Sequence, residues 1–409
     1  MIPLALDTVK DLVPGQLDRA GWTSEITGVQ IDSRRIEEGD LFIALGEGAD
    51  YRKHAFARGA AATLVPDDAF AGLAALAGEV RGQSGARFVA ITGSMGKTST
   101  KDILAAICAP QAPTVAAERS YNAEIGVPLT VCRVERETKI CILELAMRGF
   151  GQIAELCAFT RPEVGVITNV GPVHLEKVGT LEGVIRAKTE LIDALPPGGT
   201  AIVPADFIVA RQDVEVVRVG EDVRLESFQP PLLRTSLGNV EVNFSAQHLA
   251  PNALIALAAA RVLDLEIPER LDVAFAEWRN QELPLPGGGL VINDAWNANP
   301  ISMRAALEHL RQLAAGRRRI AVLGEMAELG DYTDEAHRDV ARSVEEIGVD
   351  ILLSVGERAR VYGGRPVADA DEAIAILREE LRPGDCVLVK GARVLGLERV
   401  AESLAGVTA

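Results

Sequence analysis

An apolar run, Arg87-Phe-Val-Ala-Ile91, passes directly into Thr92-Gly-Ser-Met-Gly-Lys-Thr-Ser99 and then into a helical pattern. A buried strand that turns through two glycines into a helix start is a ready anion cradle. Backbone N–H groups and the helix dipole converge there. Backbone amides of Gly93, Ser94, Met95, Gly96 and Lys97 are expected to point inward, with Ser99 closing the first turn of the helix. Lys97 is placed to reach β/γ-phosphates, and the Thr98 hydroxyl to hold Mg²⁺. The spacing departs from G-x-x-x-x-G-K-[ST], since Ile91 stands five before Gly96, so the usable core is Gly93-x-x-Gly96-Lys97-Thr98. The plainer alternative is a glycine-containing strand-to-helix turn with no ligand.

At 409 residues the chain is too long for one ordinary core, and two to three domains are expected. Hydrophobic residues at 48% and charged residues at 24% describe a globular protein. A net charge of −16 argues against nucleic-acid or anionic-membrane partners. The five cysteines are scattered without C-x-x-C spacing, so buried free thiols in a reducing compartment are expected rather than disulfides or zinc. The opening residues lack a basic segment ahead of a cleavable apolar one, and the longest apolar stretch, 253–260, is far short of a membrane span. A soluble cytoplasmic protein is the expectation. Oligomeric state is not readable, and a monomer is the simplest assumption.

Residues 1–83 read as a small α/β unit, with strands near 40–45 and 62–66 and a short helix at 54–62. A polar, glycine-containing linker is expected at 81–86. From 87 onward strands and helices alternate. Near-continuous apolar runs at 88–92, 139–145, 164–168 and 200–203 suit a parallel sheet covered on both faces. Helices are expected after Lys97 and at 150–159, 181–194 and 252–263. Leu283-Pro-Leu-Pro-Gly-Gly-Gly289 is the clearest breaker, after which the alternation restarts as a Rossmann-like domain without a G-x-G-x-x-G fingerprint. The expected fold is α/β in three domains: residues 1–83, a central P-loop ATPase-like parallel sheet over 84–286, and a C-terminal domain over 287–409.

In open α/β sheets ligands collect at the carboxyl ends of parallel strands. Glu144 ends one such run and could hold Mg²⁺, or could be an ordinary surface carboxylate. Asn169 and His174 follow the run 164–168; a neutral imidazole there could bind a second metal, though a lone histidine is more often simply packed or solvated. Lys188 reads by default as a solvated helix charge. Asp294 follows a short apolar strand, where turn chemistry and nucleotide binding both fit. Lys390 and Arg393 leave another strand beside a glycine, suited to a carboxylate or phosphate.

Together these segments resemble the Mur ligases, the ATP-dependent amide-forming enzymes of peptidoglycan synthesis. The resemblance spans nearly the whole chain in order: Tyr121-Asn-Ala-Glu-Ile-Gly-Val-Pro-Leu-Thr130, Glu144-Leu-Ala-Met-Arg-Gly149, Asn293-Asp-Ala-Trp-Asn-Ala-Asn-Pro300, Gly324-Glu-Met-Ala-Glu-Leu-Gly330 and Val389-Lys-Gly-Ala-Arg393. It is nearest the branch that adds D-alanyl-D-alanine to UDP-N-acetylmuramoyl-tripeptide. It implies a uridine-nucleotide domain, an ATP domain and an acceptor domain, in that order, serving cell-wall biogenesis and with it cell shape and division. It further implies that Lys97 and Thr98 bind ATP phosphates and Mg²⁺, that Glu144 ligates a first Mg²⁺ and His174 a second, and that Lys188 is carbamylated to organise the second metal. Asn122 and Asn252 match adenine-pocket positions, and Arg279 and Asp294 match ATP contacts. Asp32-Ser33-Arg34 matches a turn that holds the uridine nucleotide, and Asn297, Asn299, Lys390 and Arg393 fall on the substrate side. No nucleic acid or membrane insertion is implied.

Some residues depart from the family pattern. Asn293 and Trp296 replace the usual Asp and Tyr, Glu325 replaces an Asp, and Ala392 stands where Ser is common. A compact Asp-Gly-His turn is replaced by Asp50-Tyr-Arg-Lys-His54. Two rivals stay open. One is an amide ligase with another acid or amine substrate, which Asp32-Ser33-Arg34 disfavours. The other is a non-catalytic P-loop nucleotide switch, disfavoured by Glu144, His174 and Lys188, an apparatus for two metals.

Overall fold

The computed structural model describes residues 1–21, 23–172 and 175–406. Its contacts divide the chain into two compact units. One comprises Met1–Asn169, Ile185–Asn243 and Pro251–Ala274; the other comprises Val170–Val184, Phe244–Ala250 and Phe275–Ala409.

The first unit begins with a four-stranded sheet in the order Gly15–Arg19, Ala62–Pro66, Asp40–Ile43, Gly28–Gln30. Leu41, Phe42, Ile43 and Leu64 are fully buried in it. The helix Ala69–Gln83 follows, its N-terminus capped by Asp68, whose carboxylate accepts from the Phe70 and Ala71 amides. The expected linker at 81–86 is thus mostly helix, and only 84–86 separate it from the next strand.

The larger sheet of this unit has six strands, all parallel, in the order Glu215–Val219, Thr200–Pro204, Val164–Ile167, Arg87–Thr92, Ile140–Glu144, Thr114–Ala116. Each expected apolar run lies in it. Arg87–Thr92 sits in the middle: the next two strands of the sheet, Thr114–Ala116 and Ile140–Glu144, are laid on one side of it, and the chain then crosses to the other side for Val164–Ile167 and those that follow. That is a topological switch point, where a crevice opens outside the strand ends. Register then fixes the neighbours of the glycine turn, with Ile91 opposite Glu144 and Thr92 opposite Ile167. A small four-stranded sheet, Leu225–Gln229, Leu232–Thr235, Gly238–Val242 and Arg270–Leu271, completes the unit and was not foreseen.

The second unit is built on six strands ordered Gln281–Leu285, Gly289–Asn293, Cys386–Lys390, Arg319–Gly324, Ile351–Val355, Arg365–Val367. Five run parallel, and Gln281–Leu285 pairs antiparallel at the edge. Half of the expected breaker is therefore strand. Pro284 is tolerated because an edge strand has a side without ladder bonds. Each face carries its own apolar core, one around Ile292, Met303, Leu307 and Leu388, the other around Val291, Val322, Val387 and Val400. All five cysteines are buried and unpaired. Among the described residues no helix is long and apolar enough to cross a membrane.

Candidate active site

The glycine turn is shaped by what presses on it. A Cβ at Gly93 would lie 1.8 Å from Thr168 Oγ1, and one at Gly96 would lie 2.3 Å from Asn252 Oδ1. Gly96 also holds φ at +75°, a left-handed conformation that side chains disfavour. The turn is further fixed by the end of the adjacent strand. The Ser94 amide donates to the Asn169 carbonyl (3.1 Å), the Met95 amide to Asn169 Oδ1 (2.9 Å), and Thr168 Oγ1 to the Met95 carbonyl (2.5 Å). Two of the amides expected to line the cradle are therefore engaged by Asn169, because the parallel neighbour ends level with the turn. Lys97 curls back, its Nζ donating to the Gly93 carbonyl at 2.8 Å.

Thr98 and Glu144 meet beneath the turn. Thr98 Oγ1 donates to Glu144 Oε2 at 2.7 Å, and Asn122 Nδ2 donates to Glu144 Oε1 at 2.8 Å. Glu144 is 1% exposed and Thr98 2%, so the reading of Glu144 as a surface carboxylate is excluded. A hydroxyl and a carboxylate side by side form the hard-oxygen donor set that Mg²⁺ takes, with phosphate oxygens and water completing the shell. Among the described residues no cluster of three or more His, Cys, Asp or Glu could hold a metal unaided.

Lys188 is likewise no solvated helix charge, being 2% exposed on the helix Leu181–Asp193. Burial, and then the ammonium of Lys97, push its amine well below the ordinary lysine range. A neutral amine is a nucleophile, whereas an ammonium is not. His174 lies outside the described residues.

The Asp32-Ser33-Arg34 turn lines a cavity of about 1620 Å³ in the same unit. The Asp32 carboxylate caps the turn and grips Arg34 with both oxygens, its Oδ2 lying 2.8 Å from the guanidinium. The side-chain hydrogen bond to Arg34 lowers Asp32 to about 2. His54 Nδ1 bonds Ser33 Oγ at 2.9 Å, and Tyr51 lines the same cavity, so the altered 50–54 turn still delivers its histidine to Ser33.

In the second unit, Lys390 Nζ lies 2.5 Å from Asp294 Oδ2 and donates to the Asn297 carbonyl at 2.9 Å. Lys390 is 2% exposed, and such an ammonium is tolerable only with these partners. The Asn299 side chain caps the helix Pro300–Ala314 through a reciprocal box with Ser302. Asn297 Oδ1 accepts from the Ala298 amide. Arg279 and Arg393 share one aromatic neighbour: their guanidinium carbons lie 5.4 and 5.7 Å from the Trp296 ring centroid, and Trp296 stacks on Trp278 at 6.0 Å. The departure to Trp at 296 thus builds a larger cation–π surface. Asn293, by contrast, is fully buried with neither amide atom hydrogen-bonded.

Several residues escaped the sequence reading. Thr168 carried the same strand-end signal as Asn169. The Glu282 carboxylate, which accepts from Ser245 Oγ at 2.5 Å and bonds His309 Nε2 at 3.1 Å, had none.

Comparison with known proteins places this architecture. The family model for the Mur ligase middle domain matches residues 91–260, and that for the Mur ligase glutamate ligase domain matches residues 278–393. The chain belongs to the Mur ligase family. It is 34% identical to the UDP-N-acetylmuramoyl-tripeptide–D-alanyl-D-alanine ligase of Mycobacterium tuberculosis, with 99% of this chain and 98% of the relative covered. The Escherichia coli ligase of the same name is 32% identical over 99% of each chain. The crystal structure of MurF from Acinetobacter baumannii superposes with a TM-score of 0.82 at 27% identity, covering 99% of both chains. MurF ligase from Thermotoga maritima, solved in complex with ADP, gives a TM-score of 0.78 at 25% identity, covering 93% of this chain and 97% of the other.

Proposed function

We propose that this chain is an ATP-dependent amide ligase that joins D-alanyl-D-alanine to UDP-N-acetylmuramoyl-tripeptide, giving the pentapeptide precursor of peptidoglycan, ADP and phosphate. The observation that carries the reading is the buried Thr98–Glu144 pair, joined by the half-buried Asn122, under a glycine turn in a chain matched end to end by ligases of that name. The Asp32-Ser33-Arg34 cavity would take the uridine nucleotide, the central sheet ATP, and the C-terminal sheet the incoming dipeptide, with Lys390 and Arg393 on its side. Asn122 and Asn252 would border the adenine, and Arg279 and Asp294 would contact the nucleotide. The enzyme would work in the cytoplasm.

The terminal carboxylate of the substrate attacks the γ-phosphorus of ATP. The bond to ADP breaks, and an acyl phosphate forms. The dipeptide amine then adds to the acyl carbon, and the tetrahedral intermediate expels phosphate as the amide forms. Lys97 neutralises charge on the transferring group, and no side chain acts as a covalent nucleophile. Thr98 and Glu144 would hold one Mg²⁺, and His174 with a carbamylated Lys188 a second, which when bound neutralise phosphate charge. The depressed Lys188 amine fits carbamylation, because only the free base reacts with CO₂.

ADP release should require both UDP-N-acetylmuramoyl-tripeptide and D-alanyl-D-alanine. If L-glutamate replaced the dipeptide equally well, the rival amide ligase would be favoured. Turnover independent of any acceptor would favour the nucleotide switch.

A further inference from the structure

The helix that opens at the cradle carries a second lysine one turn on. Lys101 is 3% exposed, yet its Nζ is fully engaged: it donates to the Ala117 carbonyl (2.7 Å) and the Arg119 carbonyl (3.3 Å), and pairs with Asp102 at 2.6 Å. Those carbonyls belong to one short segment, 117–122. Arg119 within it is held at φ +47°, a conformation that residues with a Cβ rarely adopt. The preceding residue, Glu118, pairs with Arg35 and with Arg133, each at 3.1 Å, and lines the cavity that holds Asp32 and Ser33. Tyr121 lines the same cavity, and Asn122 reaches Glu144. The Asn122 carbonyl also accepts from the Ala146 amide at 2.8 Å. One segment of six residues therefore touches the cavity at its middle and the cradle carboxylate at its end.

We propose that Lys101 is a positioning residue that holds segment 117–122 as a strap between the nucleotide-sugar cavity and Glu144, so that filling the cavity tightens nucleotide binding at the cradle. The inference rests on the assignments of cavity and cradle made above. Lys101 touches no substrate. It acts by fixing the backbone from which Asn122 orients Glu144, and Glu118 and Tyr121 bring the cavity's occupancy to that backbone. Linkage makes the effect reciprocal, with nucleotide tightening the sugar-nucleotide equally.

The test is calorimetric titration of ADP in the presence of Mg²⁺, with and without saturating UDP-N-acetylmuramoyl-tripeptide. In the native protein the second ligand should tighten ADP by about fivefold, the lower end of ordinary coupling. Lys101→Met combined with Asp102→Asn removes both buried charges together; the ratio should fall to about one, while ADP alone binds within about threefold of native. Glu118→Gln, which loosens only the cavity end, should fold as native and bring the ratio to about two. Either variant, shown folded by a cooperative melt, that kept the native ratio would overturn the strap, as would a native ratio of one. Glu144→Gln separates the premises: ADP affinity that did not respond to it would sink the cradle assignment itself rather than the strap.

Discussion

Glu144 and Lys188 share a physical predicament, since each is an ionisable side chain taken almost wholly out of water. Glu144 resolves it with two neutral donors, Thr98 and Asn122, and stays available to a cation. For Lys188, burial and then the ammonium of Lys97 push the amine well below the ordinary lysine range. Because its folded pKa lies below that of the unfolded chain, the unfolded state binds the extra proton between the two values. Stability should therefore rise with pH across that window, by at most about 1.4 kcal/mol per unit. In CO₂-free buffer, urea denaturation at a series of pH values below about 10.4, the ordinary lysine value, should show this slope in the native protein and lose it in Lys188→Met. An identical slope in both would mean the amine is not held neutral. Lys97→Ala should abolish turnover while uridine-substrate affinity, measured by calorimetry, stays near native; loss of both would indicate misfolding instead. Gly96→Ala meets Asn252 Oδ1 at 2.3 Å in a left-handed backbone. It should cost about 1–3 kcal/mol in urea and weaken ADP binding.

At the level of elements, strand ends carry the chemistry, and this is why much of it was legible. Buried parallel strands read as apolar runs, so Arg87–Thr92, Ile140–Glu144 and Val164–Ile167 were visible, and with them Lys97, Glu144 and Asn169 just beyond. The helix Ala69–Gln83 went unseen because alanine and glycine around its circumference blur the apolar stripe. The sheet over 225–271 alternates exposed and buried residues too irregularly to announce itself, as Leu225–Gln229 illustrates. Lys101 and His309 were invisible for a different reason. The first bonds backbone carbonyls and the second a distant carboxylate, and no spacing marks either. The family resemblance puts Asn299 on the substrate side, and in the structure its side chain closes a capping box. Asn299→Ala should lower stability by about 1 kcal/mol in urea. Unchanged stability with a raised KM for the dipeptide would return the side chain to the substrate.

For the whole molecule, the proposed function has the phosphate cradle, the cavity beside Asp32 and Ser33, and the Asp294–Lys390 strand ends serve one reaction, amide formation through an acyl phosphate. Acyl-phosphate chemistry has a tracer consequence, because the carboxylate oxygen that attacks ATP leaves with phosphate. The deciding measurement uses UDP-N-acetylmuramoyl-tripeptide labelled with heavy oxygen in its terminal carboxylate, turned over with ATP and D-alanyl-D-alanine. Mass analysis should find one labelled oxygen in each phosphate released, in step with ADP and pentapeptide. Phosphate free of label, or ADP formed without pentapeptide, would contradict the account.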